Sequence, residues 1–228
     1  MQKQGGIKLI SEEIRELLGI EECHVLTGAN LASAVANDNF CEATICGEHE
    51  SSKLLKKLFH TENMRIVITQ DKDVEAFVAL TSVVACAAGF TDGLGYGAST
   101  KAAVIRLGLM ETIKILDRYF PGSDLTTYCT ETGSVADLIT TCYGGENRKV
   151  CEAVVKTNRT LVEVEKELLG GQSAQGPLTA EEVFLTLEKE GRVTQFPLFV
   201  AVHRICKGET APEQLIDCLR NHPEHMEI

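Results

Sequence analysis

The 228-residue sequence has no tryptophan, five prolines and only 5% aromatic residues. Its core must therefore be aliphatic, packed by branched side chains rather than stacked rings. Positive charge is scarce too: 22 Lys and Arg face 33 Asp and Glu, a net charge of −11. That balance argues against nucleic acid or a membrane surface as partner, because both are anionic. It does not exclude an anionic cofactor, since helix N-termini bind anions locally. Met1 to Gly6 has no apolar core of the kind a signal peptide carries, so none is expected. The longest largely apolar run, Phe77 to Phe90, falls short of the ~20 residues that span a bilayer and reads as a buried helix.

Paired metal or redox spacings are also missing. Nine cysteines, an odd number, include no CxxC and no zinc-finger spacing. Cys86, Cys206 and Cys218 sit in apolar runs, where cysteine acts as a small hydrophobe. A reduced, cytoplasmic setting fits best. His222 and His225 are three apart, but Pro223 breaks any helix face between them and no third ligand is evident, so no metal site is expected. Cys23-His24 reads as a strand start rather than a dyad. Cys142 has no neighbour in sequence that clearly lowers its pKa.

What is present falls into two textures. Helical spacing runs from Ile7 to Leu18, followed by a short strand at His24 to Gly28 and another element from Leu31 to Val35. A second strand is predicted at Ala43–Cys46, a helix at Ser52–Phe59 and a third strand at Arg65–Thr69. This alternation suggests α/β architecture with parallel pairing. Beyond Gln70-Asp71-Lys72-Asp73 nearly every periodic segment is helical: 74–90, 101–119, 134–140, 148–157, 161–169, 179–189, 197–206 and 212–221. Thr179 before Ala180-Glu181-Glu182 reads as a cap, and Pro197 as a first-turn proline. The nearest approach to a dinucleotide fingerprint, Gly93-Leu94-Gly95-Tyr96-Gly97-Ala98, follows a run too long for a strand and reads as a helix–helix loop.

The densest chemistry lies at Ser134 to Lys149, where acid, hydroxyl, amide and basic groups surround Gly144-Gly145. With Ile7–Ser11, Gly28-Ala29-Asn30, Asn39–Glu42, Thr100–Glu111, Glu165–Leu169, Gln175-Gly176-Pro177 and Asn221–Met226, this stretch resembles eukaryotic cytosolic NAD-dependent glycerol-3-phosphate dehydrogenase. The similarity runs from Gly5 to Met226 and corresponds to the C-terminal two-thirds of that family. It implies a mainly α fold: a partial Rossmann-like α/β remnant at residues 1–70, whose first βα units are missing, then an all-helical substrate and dimerisation domain at 71–228.

The resemblance also assigns site residues. The family's catalytic lysine falls at Thr81 and a neighbouring asparagine at Ser82, in the run Leu80–Ala85. Asp137 matches the acid near that lysine, and Thr141 a substrate contact. The phosphate-clamping Arg-Asn pair becomes Glu146-Asn147, with Arg148 and Lys149 following. Among cofactor contacts, Ala32 and Gln175 are kept, while a family lysine is replaced by Ser173. With a lone carboxylate costly to bury, Asp137 is expected to be solvated or to have found another cation. The resemblance implies NAD as cofactor, glycerol 3-phosphate and dihydroxyacetone phosphate as substrates, and a homodimer. With Thr81, Ser82, Glu146 and Ser173 at substituted positions, weak or absent activity is expected. The alternatives are a non-catalytic relative that binds or dimerises with an intact family member, or a truncated version of a longer enzyme.

Overall fold

The computed structural model describes residues 7–47, 49–71, 73–121 and 132–223. The first part holds α1 (Ile10–Leu18), β1 (Val25–Thr27), α2 (Ala32–Ala36), β2 (Cys41–Cys46), α3 (His49–Phe59) and β3 (Met64–Thr69). Helices follow: α4 (Asp73–Gly93), α5 (Ala98–Tyr119), α6 (Asp137–Gly144), α7 (Glu146–Thr157), α8 (Leu161–Leu168), α9 (Gln175–Lys189), α10 (Pro197–Cys206) and α11 (Gln214–Arg220). A turn of π-helix at Thr132–Ala136 leads into α6. The architecture is mainly α with a small sheet, and its texture changes where the sequence does.

The helical part is organised around α4. Most of its side chains are buried, including Val74, Phe77, Leu80, Val83, Val84, Ala87 and Phe90, so it is apolar all round rather than striped. The helix reaches 21 residues, longer than the apolar run suggests, because Asp73 and Glu75 open it favourably against the helix dipole. Among the described helices it alone is long and apolar enough to cross a membrane, yet it sits mostly inside the protein. Helices α5, α6, α7, α9 and α10 pack around it. Small residues permit the close approach. A Cβ at Gly89 would lie 2.3 Å from the Arg148 carbonyl oxygen and 2.9 Å from Cys151 Cβ. One added methyl would therefore force α4 and α7 apart.

Parallel pairing holds for one pair of strands and fails for the other. β2 and β3 run parallel, but β1 and β2 run antiparallel. The connecting helices explain the difference. The 11-residue α3 rises ~16 Å, enough to carry the chain back along a strand. The five-residue α2 rises only ~7 Å and cannot. Helix α1 also starts later than its periodicity suggests, at Ile10. The Ser11 amide donates to Glu75 Oε1 at 3.0 Å and the Ser11 hydroxyl donates to Glu75 Oε2, tying α1 to the start of α4. Thr179 is not a cap: α9 begins four residues earlier at Gln175, with Pro177 in its first turn, where no N–H is needed. The glycine-rich segment Gly93–Gly97 does join two helices, α4 and α5.

The sheet has little core of its own. Ala43, Ile45 and Ile66 are buried together with Leu55 and Met64 against them, whereas the helical cluster runs from Leu9 to Leu219. Leu26, Phe40, Leu54 and Leu58 are exposed on this part, Leu58 by 73%, beside an open cavity of about 350 Å³ lined by Val35, Phe59 and Met64. Such a face is held by few apolar contacts. Amide hydrogen exchange is therefore expected to be faster at 41–46 and 64–69 than at 80–90 and 107–116. Slower exchange in the strands than in α4 would contradict this division of stability.

Candidate active site

The polar residues singled out by the sequence converge where α4, α6, α7 and α9 meet. Thr81 and Ser82 lie near the middle of α4, 1% and 9% exposed. Both hydroxyls donate to the preceding helical turn, Thr81 to the Val78 carbonyl at 2.8 Å and Ser82 to the Ala79 carbonyl at 2.6 Å. This is the ordinary way for a short hydroxyl to be satisfied inside an apolar helix. Thr81 Oγ1 also lies 3.2 Å from Asp137 Oδ2, so the two positions the sequence paired do face each other.

Asp137 opens α6 and is partly buried. Desolvation pushes its carboxyl up to about 6, and the hydrogen bond from Thr81 only partly opposes that. The sequence left two outcomes, solvation or a new cation. The structure gives neither in full: the carboxyl is half-buried with the Thr81 hydroxyl donating to it, and the acid moves toward its neutral form, the usual response of a buried carboxylate without a cation.

Asn147, in the first turn of α7, is half-buried. Its Oδ1 accepts from the Gly176 backbone N–H at 2.8 Å, which fixes the amide orientation and leaves its NH₂ group as a donor. A Cβ on Gly176 would come within 2.4 Å of Cys86 Sγ and 2.5 Å of the Ser82 carbonyl oxygen. The start of α9 therefore presses directly on α4, bringing Gln175 to the same neighbourhood as Ser82 and Asn147. Gln175 and Ser173 are exposed. Thr141, half-buried on α6, accepts at its carbonyl from Gly145 N–H at 3.1 Å and closes the turn before α7. Leu31 lies close to Gly144, where a Cβ would be 2.7 Å from its Cδ1, so the exposed Ala32 at the start of α2 borders the same region.

Glu146 is exposed at the first position of α7. Arg148 is already engaged: its guanidinium donates to Glu152 at 2.7 and 2.8 Å and to Asp92 at 3.2 Å. Lys101 joins the same cluster, 2.7 Å from Asp92 and 4.4 Å above the Tyr143 ring. Nothing in local patterning marked this network, since its members come from α4, α5, α6 and α7. A second buried group that sequence reading missed is Glu111, which accepts from Leu198 N–H at 2.8 Å and Phe199 N–H at 3.0 Å and lies 2.9 Å from His222 Nε2. Burial pushes Glu111 up, and His222 is its main counterweight. His222 thus belongs to the anchoring of α10, and His225 lies outside the described residues. Among those residues no cluster of side chains suits a metal ion. Burial pushes the Cys142 thiol up to about 12, so it is no nucleophile. His24 Nε2 lies 3.0 Å from Ser51 Oγ, and the contact ties the start of β1 to the first turn of α3.

A dinucleotide needs a strand, a glycine-rich turn and a helix N-terminus aimed at its pyrophosphate. The described residues do not supply them. After β1, a Cβ on Gly28 would lie 2.6 Å from the Glu42 carbonyl oxygen, so that glycine lets strands pack, and α2 behind it has five residues. Ala32, Ser173 and Gln175 offer only exposed flanking positions.

Comparison with known proteins identifies the family. Residues 72–217 match the family model for the NAD-dependent glycerol-3-phosphate dehydrogenase C-terminus, and residues 2–53 match that for its N-terminus. The chain is 67% identical over 228 residues to the probable glycerol-3-phosphate dehydrogenase 2 of Caenorhabditis elegans, covering 99% of this chain and 58% of that protein. It is 52% identical to the human cytoplasmic NAD(+) enzyme over 223 residues, covering 97% and 64%. The solved glycerol-3-phosphate dehydrogenase of Saccharomyces cerevisiae superposes with a TM-score of 0.83 at 40% identity, over 95% of this chain and 64% of that one. The chain thus spans about six-tenths of the length of these relatives. By sequence along nearly its whole length, and by fold, it belongs to the NAD-dependent glycerol-3-phosphate dehydrogenase family.

Proposed function

We propose that the chain forms the substrate-side portion of a glycerol-3-phosphate dehydrogenase centre, binding glycerol 3-phosphate or dihydroxyacetone phosphate, with weak or absent turnover of its own. In this reading residues 1–70 are the C-terminal part of a Rossmann domain and 71–228 the substrate and dimerisation domain. The protein works in the cytoplasm, where its relatives are named. The observation that carries the reading is the 3.2 Å contact between Thr81 and Asp137. It puts a neutral hydroxyl where the family resemblance puts a lysine.

The chemistry follows from that exchange. Interconverting the alcohol and the ketone requires a hydride, which the family draws from NAD(H), and a proton moved at the substrate oxygen. Thr81 carries no charge to polarise a carbonyl, and its proton is already directed at Val78 and Asp137. Asp137, near its midpoint at about 6, is the titratable group left beside it. For the phosphate, the free N–H groups that open α7 and the Asn147 amide are suitable donors. Glu146 at the same helix start opposes them with like charge. The described residues lack a pyrophosphate cradle, so weak NAD(H) binding by the 228-residue chain is part of the proposal.

A second reading is favoured by the exposed Leu26, Phe40, Leu54 and Leu58. An uncovered apolar face of this kind suits a relative that acts by binding or dimerising with an intact family member. The first experiment is NADH consumption by the purified chain with dihydroxyacetone phosphate. Turnover at least 100-fold below ~10 s⁻¹ is expected from loss of the general acid. A rate near that value would overturn the proposal, while folded, inactive chain that co-purifies with an intact enzyme would favour the second reading.

Thr81→Lys tests the mechanism directly. A cation opposite Asp137 should lower that carboxyl below its ordinary range and increase any turnover by ~10²-fold or more. An unchanged rate, with NADH binding confirmed, would mean the proton is handled elsewhere. Asp137 itself makes a prediction about stability. Its folded pKa, about 6, lies above the unfolded value of 3.8, so its contribution is fully present below 3.8 and is lost as pH rises through 6. Asp137→Asn should therefore stabilise the chain at pH 7.5, by at most ~3 kcal/mol, and flatten denaturation midpoints between pH 4 and 6. A variant less stable at pH 7.5 would show that the ionised carboxylate is welcome where it is.

A further inference from the structure

Helix α9 begins without a cap of its own. Its N-cap residue is Ala174, which has no side-chain acceptor, yet the first turn of a helix leaves N–H groups that need one. Two side chains from other helices supply acceptors. Asn147, on α7, accepts from the Gly176 N–H at 2.8 Å, and Glu165, on α8, accepts from the Ala174 N–H at 2.8 Å. Pro177, next in the chain, has no N–H to satisfy. The bond to Glu165 is buried, and Glu165 itself is only 9% exposed. A carboxylate suits this place, since the start of a helix is the positive end of its dipole.

Glu165 also holds the other end of the loop that leads to α9. Its backbone carbonyl accepts from the Leu169 N–H at 2.8 Å and the Gly171 N–H at 3.4 Å. Between these anchors Gly170 to Ser173 are exposed, and Gly170 and Gly171 take φ of +62° and +88°, a region that glycine enters without penalty. The loop's exit at Ala174 is therefore set by where the Glu165 carboxylate stands. Helix α8 is fixed in turn: Thr160 and Glu163 form a capping box at its start, and it packs along α7.

We propose that Glu165 is a positioning residue of the candidate centre. By holding Ala174 it fixes the start of α9, and through the Gly176 N–H it sets the direction in which the Asn147 amide presents its NH₂ group to a phosphate ester. The proposal rests on the reading of that centre as a glycerol 3-phosphate site. The planar amide carries the two roles on opposite sides. Its Oδ1 takes the Gly176 N–H, so the NH₂ group points where Gly176 leaves it to point. Gly176 lies against Cys86 and the Ser82 carbonyl, so the same turn seats α9 on α4. Gln175, exposed between the two bonded residues, is carried by them. Glu165 acts through Ala174 and Gly176 and touches no reacting atom.

The test follows amide exchange by NMR and glycerol 3-phosphate binding by calorimetry, both on the 228-residue chain. In the unsubstituted chain the Ala174 and Gly176 amides should be protected, and rapid exchange at Ala174 would overturn the proposal before any substitution is made. Glu165→Ala should speed exchange at both amides, shift the Asn147 side-chain NH₂ resonances and weaken glycerol 3-phosphate binding ~10-fold. Glu165→Gln keeps an acceptor and should restore all three to within ~2-fold of the unsubstituted chain. Exchange at 80–90 and 150–155 should stay unchanged in both variants, which separates positioning from general loosening of the domain. Faster exchange at Ala174 alone, with the Gly176 amide, the Asn147 resonances and the affinity unmoved, would overturn the proposal. Should Glu165→Ala not fold, Glu165→Asp draws the carboxylate back by one methylene and is expected to act in the same direction. An unsubstituted chain that binds no glycerol 3-phosphate would remove the reading of the centre, and the Gly176 and Asn147 signals would then decide the positioning role by themselves.

Discussion

Burial of α4 is the constraint on which the rest of this structure depends. A helix apolar on every side has no water-facing stripe, so stability requires other helices to cover its circumference. Glycine and alanine at 85, 87, 88 and 89 let those neighbours come close, and the carbonyl of Arg148 sits where a Gly89 side chain would be. Close packing of this kind gains its energy from many small contacts, and it fixes α7 along the length of α4. The start of α7, where Asn147 lies, is thereby positioned by contacts far from any chemistry.

The same constraint sets the chemical character of the centre. Every polar group on the buried face of α4 must find a partner within the protein. Thr81 and Ser82 do so locally, through Val78 and Ala79, and remain compatible with a dry helix. A lysine at position 81 would instead have to bring its charge into the core and be compensated by Asp137. Its upward shift to about 6 comes mainly from burial, which the hydrogen bond from Thr81 only partly opposes.

Much of this was legible in the sequence because it depends on local order. The long apolar run from Phe77, the helical periods after residue 73 and the first-turn Pro197 all name elements the structure contains. The Thr160-x-x-Glu163 capping box is equally local, whereas Thr179, read from the sequence as a cap, lies inside α9. What local order could not convey is pairing at a distance. The antiparallel β1 follows from how short α2 is, and strand propensity does not report that. Glu111 with His222 and Lys101 with Asp92 join residues 111 and 9 positions apart, so each needed the fold to be seen. The candidate site was legible by a different route. Thr81, Asp137, Asn147 and Gln175 were identified through resemblance, and their convergence depends on how α4, α6, α7 and α9 cross.

The two charge systems near the centre behave differently, and the difference follows from where each sits. Asp92, Arg148 and Glu152 are partly solvated and Lys101 is buried beside Asp92, and each charge has an opposite neighbour. Arg148 is held there by two carboxylates, which is why proximity to Asn147 does not make it a phosphate ligand. To swing toward the α7 N-terminus it would have to give up two bonds to Glu152 and one to Asp92 for a single exposed anion contact. The centre is therefore left with an amide, backbone N–H groups and one shifted acid. Among the described residues this set includes no fixed cation to stabilise charge developing on an oxygen.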